Sequence, residues 1–433
     1  MTQKTDGQAT VAVLTLGCKL NQSDSEALAR RLAGEGVRVV DRAERGADAF
    51  VINTCSVTHV ADRKARHLVR LARRLSPGAE IVLTGCYAET APADIAGVIG
   101  ADAVLANAEK PQIAERLLAR LEDRGDPYAG CPTPVRNPLR TRAFVKIQEG
   151  CDELCSFCIV PYTRGREQSV PMAEVVRQVQ EREADGVLEV VLTGTQLGNY
   201  GRDLGWPREE QGPRRLLAEL LDRTAVPRIR TSSLQAQDIG PDLLALWSDA
   251  RLCPHFHIPL QSGSDAVLAP MRRRYTADKY QQAVSLIRKH VPEAAITTDV
   301  IAGFPGETDD DFEATLHLCE ESAFADMHCF PYSRRPHTGA DRMDGHLPPQ
   351  TRRERLERLL EVQRHSSQAY RRGRLGDTAD VLWEERVEGR WQGLTGDYVR
   401  VYAASDSDLT NHLAAARLER LEGEGVHGVP VPS

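Results

Sequence analysis

The residues best placed to do chemistry are three cysteines in one short run, Cys151-Asp152-Glu153-Leu154-Cys155-Ser156-Phe157-Cys158, a C-x3-C-x2-C pattern. The run follows an apolar stretch, Phe144–Gln148, that reads as a strand, which puts it on a loop at that strand's C-terminal end. Three close thiolates suit iron–sulfur ligation, whereas a structural zinc site takes four ligands. Three protein ligands on a four-iron cube leave one iron open to hold a small chelating molecule and pass it an electron. The rival readings are three unrelated core cysteines, or zinc completed by a distant histidine.

A second set is dispersed. Cys18 lies in Leu16-Gly17-Cys18-Lys19-Leu20-Asn21-Gln22, Cys55 in Asn53-Thr54-Cys55, and Cys86 in Thr84-Gly85-Cys86-Tyr87. Each sits just past a candidate strand. In an open parallel sheet the C-terminal strand ends share one crevice, so these cysteines could converge into a second three-thiolate set. Cys131, Cys253, Cys319 and Cys329 lack such a pattern and read as core or incidental thiols.

The elements that must position these residues can be read from periodicity. Candidate strands Val11–Thr15, Val37–Val40, Ala49–Asn53, Ile81–Thr84 and Ala103–Leu105 alternate with helical stretches Ser23–Gly34, Val60–Leu75 and Pro111–Leu121. This alternation predicts an α/β domain with a parallel sheet over 1–125. Glycines and prolines over 126–142 predict a linker. A second alternation follows over 143–372, with strands Phe144–Gln148, Glu189–Thr193, Arg228–Ser233, His255–Ile258, Ile296–Ile301 and Met327–Phe330. Helical segments Ala173–Ala184, Leu216–Thr224, Asp278–Lys289 and Asp309–Glu321 separate most of these. Such β/α repeats suit an open (βα)6 partial barrel better than a closed eight-fold one. A charged helix over 351–372 leads out of it. Short β-rich runs over 373–433, Thr378–Glu384 and Tyr398–Tyr402 among them, predict a small β-barrel with Pro430-Val431-Pro432-Ser433 fraying off.

Composition bounds the rest. The chain has 433 residues, 41% hydrophobic and 27% charged, ordinary for a globular protein of several domains. It holds no apolar run of about 18 residues, so no membrane span is expected. Its first residues lack the apolar region of a secretory signal, and ten cysteines are too few for a secreted disulfide scaffold, so the expected compartment is the cytoplasm. The formal charge of −7 means that any nucleic-acid surface must be local.

At these residues the chain resembles the methylthiotransferase branch of the radical S-adenosylmethionine (SAM) enzymes over nearly its whole length. Within that branch, Thr15-Leu16-Gly17-Cys18-Lys19-Leu20-Asn21-Gln22 and Val51-Ile52-Asn53-Thr54-Cys55-Ser56-Val57-Thr58 are most similar to the tRNA threonylcarbamoyladenosine methylthiotransferases. So are Ala61-Asp62-Arg63-Lys64, His257-Ile258-Pro259-Leu260-Gln261-Ser262-Gly263-Ser264 and Phe330-Pro331-Tyr332-Ser333. The resemblance implies an N-terminal cluster domain, a radical SAM barrel and a C-terminal TRAM-like barrel. It implies that Cys151, Cys155 and Cys158 bind the SAM-cleaving 4Fe-4S cluster, and that Cys18, Cys55 and Cys86 bind an auxiliary 4Fe-4S cluster. Phe157 matches an aromatic position usual in that superfamily.

The implied reaction inserts a methylthio group at C2 of N6-threonylcarbamoyladenosine, at position 37 beside the tRNA anticodon. One SAM methylates a sulfur held at the auxiliary cluster, and another is cleaved reductively to generate the radical that removes the C2 hydrogen. The implied partners are tRNA and an electron donor such as flavodoxin or ferredoxin, with the enzyme a monomer. Alternatives are another tRNA adenosine, an aspartate of a ribosomal protein or, in a different class, a non-catalytic zinc-containing RNA-binding protein. Two departures from the family pattern stand out: Leu234-Gln235-Ala236 where relatives often have an acid, and Gln168-Ser169-Val170-Pro171 where a basic residue often follows.

Thr193, Gly194, Ser232 and Gln261 fall at strand ends around one barrel rim and are the expected SAM contacts, with Gly303-Phe304-Pro305-Gly306-Glu307 beside them. RNA contacts are expected from Arg63, Arg66, Arg70 and Arg73 at helical spacing. Further candidates are Arg272, Arg273 and Arg274, and Arg352, Arg353, Arg355 and Arg358. The last 61 residues carry six arginines against eleven acidic residues, so their RNA contacts must be local, through Trp391, Tyr398 and Arg400.

Overall fold

The computed structural model describes residues 8–91, 95–123, 141–207 and 212–431. Most of the expected linker over 126–142, with Cys131, lies outside them. The N-terminal sheet contains β1 (Thr10–Thr15), β2 (Arg38–Val40), β3 (Ala49–Thr54), β4 (Glu80–Gly85) and β5 (Ala103–Val104), all parallel, in the order β2-β1-β3-β4-β5. The runs Val11–Leu14, Phe50–Ile52 and Ile81–Leu83 are buried throughout, as strands covered on both faces must be. One face packs Phe50, Ile52 and Ile81 against Ala65 and Val69 of the helix His59–Leu75. The other packs Val11, Val13 and Val51 against Leu117 and Leu121 of the helix Ile113–Asp123. Each such side chain contributes roughly 1.5–3 kcal/mol by burial.

The central unit is built on two parallel three-stranded sheets. One is β6 (Ala143–Lys146), β9 (Glu189–Thr193) and β10 (Arg228–Thr231); the other is β11 (His255–His257), β12 (Ala295–Ala302) and β13 (Asp326–Pro331). Bridges Ile229↔Leu252 and Ser233↔His257 join them into a six-stranded open barrel. A short ribbon of β7 (Gln148–Glu149) and β8 (Gln168–Ser169) frames the cysteine loop. Period-2 alternation sends Phe256, Ile296, Val300 and Met327 outward to the helices. The lumen keeps the polar partners: Glu189, Arg230, His255, His257, Thr297, Asp299 and His328.

The open side of the barrel is closed by the first helix of the chain, Lys19–Gly34, which packs against β6. Glu26 accepts the Phe144 amide at 3.0 Å, Asp24 takes Lys146 at 2.7 Å, and Arg30 pairs with Asp185 at 2.6 Å. That helix begins at Lys19, four residues before the expected start.

The helix Pro349–Gly373 then leads to a closed barrel of β14 (Thr378–Val387), β15 (Arg390–Thr395), β16 (Arg400–Ala403), β17 (His412–Glu422) and β18 (Gly425–Pro430). Its core holds Trp383, Trp391, Val401 and Leu418. It sits under the N-terminal ends of β9 and β10, where Arg228 donates to the Asp380 and Leu394 carbonyls. Two sequence expectations fail here. Tyr398 is not in a strand but at a turn with φ +72°, and Pro430 does not fray but pairs with Ala416.

Candidate functional site

The three turns after β1, β3 and β4 meet at one edge of the N-terminal sheet and carry Cys18, Cys55 and Cys86. Cys18 caps the helix Lys19–Gly34 and is exposed; Cys55 and Cys86 are buried. A polar net ties the turns together. Asn21 donates to the Leu16 carbonyl at 2.7 Å and the Thr54 carbonyl at 2.9 Å, and Asn53 donates to the Asn21 carbonyl at 2.9 Å. The Thr54 hydroxyl donates to the Thr84 carbonyl and accepts the Tyr87 amide. Gly85, at φ +92°, lets this approach happen: a β-carbon there would lie 2.4 Å from the Thr54 carbonyl oxygen. Burial pushes the Cys55 thiol up to about 12, and the neighbouring Cys86 and Cys18 reinforce that.

The second triad lies at the C-terminal end of the central barrel, where the sequence puts it. Ser156 anchors its loop, its amide bonded to the Met271 carbonyl at 3.1 Å and its hydroxyl to Pro270 at 2.7 Å. Phe157 packs beside Met271, Phe304 and Tyr332. Burial raises Cys151 to about 11 and Cys158 to about 12, with neighbouring thiols of the triad adding to both shifts. Such thiols stay protonated at neutral pH unless a metal takes them as thiolates.

The spread of the sulfurs separates a cluster from a single ion. Among the described residues, the one set of three His, Cys, Asp or Glu ligand atoms lying within 4.8 Å of one another is His257, Asp299 and His328. Neither cysteine triad is that tight. One zinc ion at about 2.3 Å from each sulfur would draw them closer, whereas a four-iron cube assigns each thiolate its own iron. Three thiols spread wider than 4.8 Å are the kind and number of donors that a four-iron cube with one open iron would take. The zinc reading gains no support.

Around the second triad the structure exposes residues that sequence reasoning misassigned or missed. Arg273, expected on phosphate, instead points its Nη1 at Cys155 Sγ at 3.3 Å and its Nη2 at Gln235 Oε1 at 3.2 Å. Arg274 pairs with Glu153 at 3.3 Å. Gln235, in the stretch that departs from the family pattern, joins Arg273 to Gln196 at 2.6 Å. Arg164 has a role that its sequence neighbours do not signal. Its buried guanidinium bridges Glu149 on the barrel to Asn21 of the N-terminal domain. Burial opposes its charge, but Cys86, Asp24, Cys18 and Glu149 outweigh that and hold its pKa above the ordinary arginine value.

Thr193, Gly194, Ser232 and Gln261 do gather at the rim. A β-carbon on Gly194 would lie 3.2 Å from the Gln148 side chain, so that segment packs closely. Gln261 adopts φ +67° and links the Asp299 carbonyl to the Ile301 amide. Four buried polar atoms at these strand ends, Thr195 Oγ1, Gln196 Nε2, Thr231 Oγ1 and Ser232 Oγ, have no protein partner. Orphaned groups of this kind suit a polar ligand such as SAM. Gly303 does not join them, because the Arg352 side chain fills its open side at 2.4 Å from a notional β-carbon.

The remaining basic clusters are mostly structural. Arg66 donates to Tyr87 Oη, and Arg73 is tied to Asp102 and to backbone carbonyls; Arg63 and Arg70 are exposed. Arg355 is buried against Glu307 and Asp309, Arg352 donates to the Tyr332 carbonyl, and Arg358 pairs with Glu313. Trp391 is core, with its indole N–H on the Ser405 carbonyl. Arg400 is exposed.

Below the rim, a cavity of about 930 Å³ runs between the barrel lumen, the first helix, the helix Pro349–Gly373 and the C-terminal barrel. Lys19, Arg142, His255, His257, His328 and Tyr398 line it. Tyr398 enters from the C-terminal barrel and stacks on His255, centroids 4.8 Å apart. Its left-handed backbone is held by the Thr395 hydroxyl, which accepts the Val399 amide at 2.8 Å. Burial opposes ionisation of the Tyr398 phenol, yet Arg142, Lys19 and Arg230 keep its pKa below the usual value.

Known proteins resemble this chain over most of its length. Residues 145–319 match the radical SAM superfamily and residues 10–106 match the uncharacterized protein family UPF0004. The chain is 35% identical over 428 residues to the threonylcarbamoyladenosine tRNA methylthiotransferase MtaB of Bacillus subtilis, covering 95% of this chain and 94% of that one. It is 36% identical to the protein of the same name from Aquifex aeolicus, covering 90% of this chain and 96% of that one. A tRNA-2-methylthio-N(6)-dimethylallyladenosine synthase of Streptomyces viridosporus is 35% identical, over 90% of this chain and 79% of that one. Among solved structures, the radical SAM methyltransferase TsrM of Kitasatospora setae shares the fold, with a TM-score of 0.54, 16% identity and 77% of each chain covered. On full-length similarity to enzymes of one kind, the chain belongs to the radical SAM methylthiotransferase family.

Proposed function

We propose that this chain converts N6-threonylcarbamoyladenosine beside the tRNA anticodon, at position 37, into its 2-methylthio derivative. The observation that carries this reading is the identity of about 35% over nearly the whole chain to enzymes named for that reaction. The family supplies one 4Fe-4S cluster and SAM. Cys151, Cys155 and Cys158 would hold that cluster, with Thr193, Gly194, Ser232 and Gln261 around SAM. Cys18, Cys55 and Cys86 would hold a second cluster. Together these groups supply reductive SAM cleavage, removal of an inert C–H hydrogen and a methylated sulfur to insert.

The protein's own part is positioning and electrostatics. Arg273 donates an N–H to Cys155, which stabilises negative charge on that sulfur. Gln235, itself held by Gln196, keeps Arg273 in line, and Gln196 leaves its Nε2 without a protein partner. Arg164, six residues after Cys158, bonds Asn21 in the first turn of the helix that Cys18 caps, and so ties the elements carrying the two triads together. The polar lumen beneath them admits a nucleobase with a polar substituent. A tRNA substrate, a cytoplasmic location and a low-potential donor such as flavodoxin or ferredoxin complete the reading, with a monomer as the working unit. No described helix is long and apolar enough to cross a membrane.

Two variants test the division of labour. Cys155→Ala should abolish 5′-deoxyadenosine release while leaving the fold intact. Cys55→Ala should keep that release and lose the thiomethylated product. Normal sulfur transfer by Cys55→Ala would overturn the assignment of the second triad.

A further inference from the structure

The cavity beneath the two triads is lined by a cation that forms no ion pair or hydrogen bond among the described residues. Lys19 directly follows Cys18, and its ammonium lines the cavity at 5.8 Å from the centroid of the Tyr398 ring. Neighbouring cations are each matched: Arg230 by Glu189 at 2.8 Å, Arg142 by Glu384 at 2.8 Å, and Lys146 by Asp24 at 2.7 Å. The lumen carboxylate Asp299 is engaged by His257 at 3.1 Å and His328 at 3.0 Å. Among the described residues the Lys19 ammonium makes no ion pair or hydrogen bond; burial, Arg230 and Arg142 disfavour its charge, while Tyr398 and the already paired Glu189 favour it. A half-buried ammonium in such company is a site for an anion.

The anion in reach of a base presented to Cys18 follows from chemistry. An N6-threonylcarbamoyl group ends in a free carboxylate, whereas adenosine and N6-alkyl adenosines carry no charge there. The other source of negative charge is an RNA phosphate. The carboxylate fits better, because Lys19 lines the cavity beside the first cysteine of a triad, where the base must come. We propose that Lys19 is a specificity-determining residue whose ammonium receives the carboxylate of the threonylcarbamoyl group. This rests on the substrate reading given above and deepens it. Tyr398 and His255 form the wall against which Lys19 is held, so the C-terminal barrel shares in the recognition.

The test is binding of three synthetic anticodon stem-loop RNAs to the iron-reconstituted full chain, followed by fluorescence anisotropy at constant salt. One RNA carries threonylcarbamoyladenosine, one its methyl ester and one plain adenosine. The expected result is that the wild type binds the acid about tenfold more tightly than the ester, the scale of one charge-assisted hydrogen bond. Lys19→Gln should bind all three alike, and Lys19→Arg should keep the preference. Lys19→Met is the second neutral variant if Lys19→Gln loses iron.

An undiminished preference for the acid in both neutral variants overturns the proposal. Equal weakening of all three RNAs also overturns it, since that is the signature of a phosphate contact. The two readings fail separately. If the wild type forms 2-methylthio product on the acid RNA while the neutral variants still discriminate, only the role of Lys19 is lost. If the wild type neither prefers nor modifies the acid RNA, the substrate reading falls and takes Lys19's role with it.

Discussion

Gly17 presses on Cys55: a β-carbon at Gly17 would stand 2.4 Å from the Cys55 β-carbon and 2.9 Å from its Sγ. With φ at +96°, Gly17 also occupies backbone space that other residues enter only with strain. The turn that delivers Cys18 is thus shaped around the turn that delivers Cys55. Gly17→Ala should push them apart and cost roughly half the bound iron, the share of one cluster in a two-cluster enzyme. Iron analysis and 5′-deoxyadenosine release check this. Unchanged iron, or loss of SAM cleavage with the product, would contradict it.

The contact between Arg273 and Cys155 predicts a redox effect. A guanidinium beside a ligand sulfur favours the more negative, reduced cluster. Arg273→Gln should therefore lower the midpoint potential, by on the order of 50 mV for one such interaction in a one-electron couple. Arg273→Lys should recover part of it. A spectroscopic redox titration reads the shift, and an unmoved or raised potential would refute the assignment.

Much of the site was legible because cysteine spacing and strand ends are local features. Charge partners are not local, and there the sequence misleads. Arg273, Arg352 and Arg355 look like phosphate readers when only their runs are seen, yet they serve a thiol, a carbonyl and Glu307. The helix behind Cys18 starts at Lys19 and not at Ser23, and its N-cap, Cys18, makes no side-chain cap bond, so no favoured capping residue marks that start in the sequence. Three of the five C-terminal strands gave no clear signal. His412–Glu422 is rich in Ala, Leu, Arg and Glu, all good helix formers, and becomes a strand because β14 and β18 pair with it on both sides. A register shift between Leu418 and Arg420 blurs its alternation further.

The seam between the two barrels should be sensitive to charge. Glu189 is fully buried and pairs with Arg230, which also donates to the Gly396 carbonyl. Arg230→Met removes the two hydrogen bonds that Arg230 gives Glu189, leaving Arg228 at 3.6 Å and Arg142 at 3.9 Å, and should destabilise the protein by roughly 1.5–3 kcal/mol. Adding Glu189→Leu should recover much of the loss. Denaturant melts of the single and double variants check this, and an Arg230→Met protein as stable as the wild type would contradict it.

A pH dependence follows from Glu167. Burial raises its pKa to about 7, and Asn199 donates to its Oε2 at 3.1 Å. Between the unfolded value of about 4.3 and that raised value, the folded protein binds a proton the unfolded chain has released. This group's contribution to stability is thus lost as pH rises through that window. Glu167→Gln, which cannot ionise, should gain melting temperature relative to the wild type between about pH 5 and 8. Melting curves that stay parallel would show that Glu167 titrates normally.

The central claim is tested most directly by nucleoside mass spectrometry of tRNA incubated anaerobically with the iron-reconstituted protein, SAM and a reductant. The account predicts 2-methylthio-N6-threonylcarbamoyladenosine, formed with release of 5′-deoxyadenosine. Neither product, with both clusters present by iron and sulfide analysis, would contradict it.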